Sequence, residues 1–198
     1  METSRAEADA ASLRALQAGE AAALDRLIAR WQVPLHEFAF QYLRNRADAQ
    51  ELVAEVFVRL YQHRDRLRAG TVLSGWLFAT LSHLCSNHQR WRRRHATVSL
   101  DEADDPQRPA PAVPDRPELE PDRTLQNTEA MAALEQALAD LPHDLKVPLL
   151  LHHYNKMSYQ EIATVVDCSV RGVETRLYRA RQRLRLSLDR YLGDGSVA

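Results

Sequence analysis

The chain has almost no lysine. Of its 198 residues 26 are basic, and only Lys146 and Lys156 are lysine. Together with the many alanines, that bias reflects a GC-rich genome and lowers the weight any single arginine carries. Cysteine is equally scarce. Cys85 and Cys168 are the only two, which excludes a disulfide framework and suits a reducing compartment. No apolar run approaches the roughly 20 residues that span a bilayer. The opening METSRAEADA lacks the apolar core of a signal peptide, so a cytoplasmic protein with no membrane partner is expected. The formal net charge of -1, taken alone, speaks against nucleic acid as a partner. That inference holds only if the charge is evenly spread.

It is not. From Val72 to His95 there is no acid, and Arg90, Arg92, Arg93 and Arg94 crowd its end. From Asp101 to Asp122 eight acids face only Arg108 and Arg116. From Arg171 to Arg190 seven arginines face only Glu174 and Asp189. The acidic stretch also holds six of the nine prolines, from Pro106 to Pro121. Such a segment forms no continuous backbone ladder and has little to bury. Residues 97–125 therefore read as an extended linker between two domains, 1–96 and 126–198.

Both flanks carry helical periodicity and no alternating strand pattern, so an all-α protein is expected. Leu24, Leu27, Ile28, Trp31, Leu35, Phe38, Tyr42 and Leu43 form one stripe, which Pro34 should kink or divide. Asp48 is the expected N-cap of the next helix. That helix shows apolar Leu52, Val53, Val56, Phe57, Leu60 and Tyr61 against polar Gln50, Glu51, Glu55 and Arg59. Ser74 is the expected cap of a third, with Trp76, Leu77, Leu81 and Leu84 inward. Helix resumes near Thr128 with Met131, Leu134, Leu138 and Leu141, and Pro142 ends it. Pro148 lies inside the following helix and is cheapest in its first turn.

The sharpest local signal is Ser158 to Arg185, which reads as helix-turn-helix. Ser158-Tyr-Gln-Glu161 is a capping box. Ile162, Ala163, Val165 and Val166 make a short apolar face, and Asp167-Cys168 makes the turn. Ser169 caps a second helix, with Val173, Leu177, Ala180, Leu184 and Leu188 on one stripe. Its other face offers Arg171, Glu174, Thr175, Tyr178, Arg179 and Gln182. That order suits a major groove: early side chains reach base edges, and later arginines reach phosphates. Arg171 can pair with guanine and Glu174 can accept from cytosine.

At this point the chain resembles bacterial RNA polymerase sigma factors of the extracytoplasmic-function type. Asp48 to Tyr61 (DAQELVAEVFVRLY) resembles the family's core-polymerase-binding helix. Gly75-Trp-Leu-Phe with Asn87 to Arg94 resembles the helix that melts and reads the minus-ten element. Leu141-Pro142, Ser158 to Ala163 and Val173 to Arg181 resemble the domain that reads the minus-thirty-five element. The resemblance implies a sigma factor that binds core RNA polymerase and promoter DNA, uses no cofactor or metal, and is not an enzyme. It also admits an anti-sigma factor as a partner. Polymerase contact would fall on Asp48, Glu51, Leu52, Glu55, Val56 and Arg59. Minus-ten contact would fall on His83, Asn87, Arg90, Trp91, Arg92, Arg93 and Arg94. There the arginines would neutralise phosphates and Trp91 would stack on an exposed base. Minus-thirty-five contact would fall on Ser169, Arg171, Glu174, Thr175, Arg176, Tyr178 and Arg179. The loop Gln62–Leu73 would help hold a flipped minus-ten base.

Departures from the family pattern touch promoter choice. His83 stands where Asn is frequent, Pro148 where a large apolar residue is usual, and Asp167 where Gly is common. Arg171-Gly172 and Glu174 replace the common Gly-Thr and Lys. The rival function is a stand-alone helix-turn-helix regulator, which would leave residues 48–95 without a reading role. No Gly-rich phosphate loop, nucleophile elbow or spaced carboxylate set supports an enzyme. His83, Cys85 and His88 are poor metal ligands together, because two residues on a helix means about 200° of rotation.

Overall fold

The computed structural model describes residues 2–68, 70–95 and 121–192. These form eight α-helices and one 3-10 turn, with no strand among them, as the periodicity predicts. They are α1 (Glu2–Gln17), α2 (Ala22–Leu43), α3 (Arg46–His63), α4 (Leu73–His95), α5 (Pro121–Ala139), α6 (His143–His153), α7 (Tyr159–Val165) and α8 (Val170–Leu192), with the turn at Arg64–Arg66.

The predicted stripe of α2 is the spine of the first half. Leu27, Trp31, Leu35, Phe38 and Tyr42 are buried. Phe78 of α4 presents its edge to Trp31 and Phe38, with centroid distances of 6.1 and 5.7 Å. Of the two expected effects of Pro34, division does not occur: the helix runs through it unbroken. Its missing N–H leaves the Arg30 carbonyl without its helical donor. The Arg5 guanidinium of α1 reaches that carbonyl at 3.5 Å and lies 4.1 Å from the Trp31 ring centroid. Helix α1 itself has no apolar stripe to advertise it. It is held by Leu13, Leu16 and a buried Asp9, whose carboxylate accepts from Arg30 and from the Trp31 indole N–H.

Two expected caps fall elsewhere. Asn45 caps α3, its Oδ1 accepting from the Asp48 amide at 3.0 Å. Asp48 thus lies three residues past the cap, where its charge still suits the helix N-terminus. Ser74 lies inside the first turn of α4, which begins at Leu73. The turn following α3 is anchored from α1: the Gln17 amide donates to the carbonyls of Arg64 and Leu67 at 2.8 and 2.9 Å.

In the second half, α5 begins at Pro121, ahead of the expected start near Thr128 and inside the end of the stretch read as linker. Proline fits a helix start, where its missing donor costs nothing. The rest of that stretch, 97–120, lies outside the described residues. Helix α6 begins at His143, so Pro148 falls in its second turn rather than its first. The helix-turn-helix forms as predicted. Ser158 and Glu161 complete the capping box, and Asp167 adopts the left-handed conformation at φ 48°.

The two halves pack on each other. Their buried residues form one continuous apolar cluster, running from Leu27 and Phe78 to Leu151, Ile162 and Val173. A Cβ on Gly75 of α4 would sit 3.1 Å from the Thr164 methyl of α7, so the absence of a side chain there permits close approach. Asn155 donates to the Pro34 carbonyl at 3.0 Å. Tyr42 and His143 share a hydrogen bond of 2.9 Å. Lys146 lies 4.4 Å from the Tyr42 ring centroid and is 1% exposed.

Candidate functional site

Three surfaces carry the residues singled out by sequence. The first is the start of α8. Ser169 Oγ accepts from the Gly172 amide at 3.1 Å and so caps the helix. A Cβ on Gly172 would meet Cys168 Sγ at 3.1 Å; glycine lets the turn close tightly against this helix. Val173, Leu177 and Ala180 face the core. Arg171, Glu174, Thr175, Tyr178 and Arg179 are exposed on the opposite side, and Arg176 is half-buried at the edge of the core face. The Thr175 hydroxyl donates to the Arg171 carbonyl at 2.9 Å, so its oxygen and methyl remain for a ligand. Arg181, Arg183 and Arg185 continue the exposed basic edge.

The second surface is the far end of α4. Leu77, Phe78, Leu81, Leu84 and Cys85 anchor the helix, and every residue from Arg90 to His95 is exposed. Asn87, Arg90, Trp91, Arg92, Arg93 and Arg94 therefore form one accessible basic group around an indole that is 53% exposed. His83 is also exposed, with its ring 6.5 Å from that of His143. Cys85 is buried on another face of the helix. Among the described residues, no group of three His, Cys, Asp or Glu side chains is gathered as a metal site.

The third surface is α3, and here the expected site residues divide. Glu51 is exposed, and Glu55 is half-buried in an ion pair with Arg59 at 2.8 Å. Leu52 and Val56 face the core, so they support this helix from beneath and offer nothing to a partner. They sit one turn apart on the buried stripe, which the sequence had also shown. Asp48 faces α4 rather than solvent: its Oδ2 lies 3.1 Å from His88 Nε2 and 3.0 Å from Arg92 Nη1. Tyr61, predicted inward, is exposed, as is Val58, each at 48%. Arg64 lies 4.3 Å from the Tyr61 ring centroid. Val58 and Tyr61 are two exposed apolar residues one turn apart, and Val58 lies off the helical stripe.

Where the halves meet, the electrostatics are unfavourable. Burial lowers the Lys146 pKa to about 8, helped by Arg44 and Arg93. Burial raises the Tyr42 phenol and the Cys85 thiol, each to about 12. Burial, then His83, lowers His143 below the usual histidine range.

Known proteins align with both halves. The Sigma-70 region 2 family profile matches residues 27–95, and the Sigma-70 region 4 profile matches residues 131–184. The RNA polymerase sigma-H factor of Pseudomonas aeruginosa is 26% identical over 182 residues, covering 92% of this chain and 94% of the relative. The ECF RNA polymerase sigma-E factor of Escherichia coli is 24% identical over 169 residues, covering 85% and 88%. Among solved structures, CnrH in complex with the cytosolic domain of CnrY aligns with TM-score 0.67 at 22% identity, covering 92% of this chain and 98% of that one. The sigma factor RpoE of Bartonella quintana, solved with the anti-sigma factor NepR, aligns with TM-score 0.58 at 21% identity, covering 83% and 96%. A helical protein built from a region 2 half and a region 4 half is a sigma factor by architecture. The chain belongs to the extracytoplasmic-function group of the Sigma-70 family.

Proposed function

We propose that this sigma factor binds core RNA polymerase chiefly through the outer face of α3, with Glu51, Val58 and Tyr61 as contacts. The exposed end of α4 then takes the minus-ten element, and the exposed start of α8 takes the minus-thirty-five element. The observation that carries this reading is the pairing of two accessible basic surfaces on separate helix sets, one with an exposed indole and one on a helix-turn-helix. A stand-alone regulator would use the second surface only. The protein acts without catalysis of its own, in the cytoplasm; among the described residues no helix is long and apolar enough to cross a membrane. RpoE's pairing with NepR supports including an anti-sigma protein among this chain's partners.

The packed form does not fit a promoter. The two elements lie roughly 25 base pairs apart, or about 85 Å at about 3.4 Å per step. Here α4 touches α7, which precedes the reading helix α8. Both elements are read together only when the halves separate. Fluorophores on Ala11→Cys and Arg185→Cys, in a Cys168→Ser background, measure the change. Strong energy transfer in free protein should collapse in the promoter complex with polymerase. Unchanged transfer would rule out the separation.

Arg171 supplies a test of the reading helix. Arg171→Ala should cost about 1–3 kcal/mol and relax preference at one minus-thirty-five position. An equal loss on every sequence would mark Arg171 as a phosphate contact instead.

A further inference from the structure

Beyond Cys85 no residue of α4 is itself buried, although Ser86 still bonds the Tyr42 hydroxyl. The following ten residues project as roughly 15 Å of helix, at about 1.5 Å per residue. Their strongest described attachment to the body is one carboxylate. Asp48 Oδ2 touches both His88 Nε2 and Arg92 Nη1, at 3.1 and 3.0 Å. The His88 contact is a close approach rather than an aligned hydrogen bond. Asp48 is itself fixed, since its amide is held by Asn45 at the start of α3.

The residues it grips share a helix face with the indole. His88, Trp91, Arg92 and His95 lie at i, i+3, i+4 and i+7, so they share one face of α4. The Trp91 ring lies 6.4 Å from the His88 ring, and it stacks on His95 at 4.6 Å with 25° between planes. His95 Nδ1 is 2.8 Å from the Trp91 carbonyl. For DNA affinity alone Asp48 is a cost: it sets a negative charge beside Arg92 and repels phosphate. For orientation it is a gain, because it immobilises both neighbours of an exposed stacking side chain.

We infer that Asp48 is a positioning residue, which acts through His88 and Arg92 to hold Trp91 ready for an unpaired minus-ten base. The inference rests on the proposed minus-ten role of α4. It replaces the expectation that Asp48 docks on polymerase.

The test uses Asp48→Asn in holoenzyme on promoter DNA carrying 2-aminopurine in the non-template minus-ten strand. Three readouts are expected to move in different directions. Affinity for core polymerase should stay within about twofold of wild type. Polymerase-independent binding to random duplex should rise severalfold, since Arg92 is released; a lost structural contact would not produce that gain. Promoter opening should fall on the order of tenfold, the size of effect that misplacing one stacking group can have. The decisive comparison is with Trp91→Ala. If Asp48 acts through Trp91, the double variant opens promoters no more slowly than Trp91→Ala alone. Should the two defects multiply, the inference is overturned. A large drop in core affinity with normal opening at saturation overturns it too, in favour of docking. Where Asp48→Asn lowers the melting temperature, His88→Gln gives the same cycle from the partner's side. Wild-type holoenzyme that opens no promoter would instead sink the minus-ten assignment itself.

Discussion

Replacing Lys146 with Met is expected to stabilise the protein, by up to about 3 kcal/mol near neutral pH. Lys146 is buried where the halves meet, against Tyr42, with Arg44 and Arg93 adding repulsion. Its pKa falls from 10.5 in the unfolded chain to about 8 in the packed one. Below pH 8 the ammonium is charged in both states, and the folded chain carries the full desolvation cost. Between pH 8 and 10.5 the folded chain sheds the proton first, so stability rises with pH. Cys85 and Tyr42 work in the opposite sense, because burial raises both. Their contributions are lost once the unfolded thiol and phenol ionise, above about pH 9 and 10. The clean signature is therefore the difference between wild type and variant, shrinking from pH 8 upward. His143, lowered by burial, adds a loss of stability in acid that the variant retains. Chemical denaturation at pH 7, 8 and 9 measures this. A variant less stable than wild type at pH 7 would mean that Lys146 contributes more through its contact with Tyr42 than its burial costs. Under the proposed separation of the halves, the same variant should hold them together more firmly and weaken binding to polymerase.

Phe78→Ala is expected to cost about 3–5 kcal/mol, the usual range for emptying a buried aromatic site. Phe78 is fully buried and meets Trp31 and Phe38 edge-on. Those rings belong to the long helix α2, which cannot collapse into the space without moving Leu27 and Leu35. A loss of that size is a large part of the roughly 5–15 kcal/mol that holds a domain. In a packed unit of this size each kcal/mol shifts Tm by about 2–4 °C, so thermal melting should show a fall of about 6–20 °C. Leu186→Ala, at a side chain 77% exposed, should stay within about 0.5 kcal/mol. Similar losses for the two variants would mean that the aromatic cluster does not organise this half.

The helix stripes and the helix-turn-helix were legible because their causes are local. Ser158 and Glu161 are three residues apart, and Asp167 needs only its own backbone to make the turn. Helix α1 was not legible, since ETSRAEADAASLRALQ has a polar pattern and is held by Asp9 reaching Arg30 and Trp31. The same holds for Pro34, whose freed carbonyl finds Arg5 from another helix. Asp48 looked like a cap and a docking acid on its own segment, whereas its partners lie 40 and 44 residues away. Leu52 and Val56 fit both the apolar stripe and the family's contact helix, and they lie in the core. Lys146 gave no signal because its burial comes from the other half of the chain.

Run-off transcription bears most directly on the central claim. Purified protein and bacterial core RNA polymerase are combined with a promoter library drawn from a GC-rich genome, with minus-ten and minus-thirty-five elements varied separately. Transcripts should appear only with both components present, and should depend on both elements. Equal transcription with and without the protein, or specific binding of duplex promoter by the protein alone, would contradict the claim.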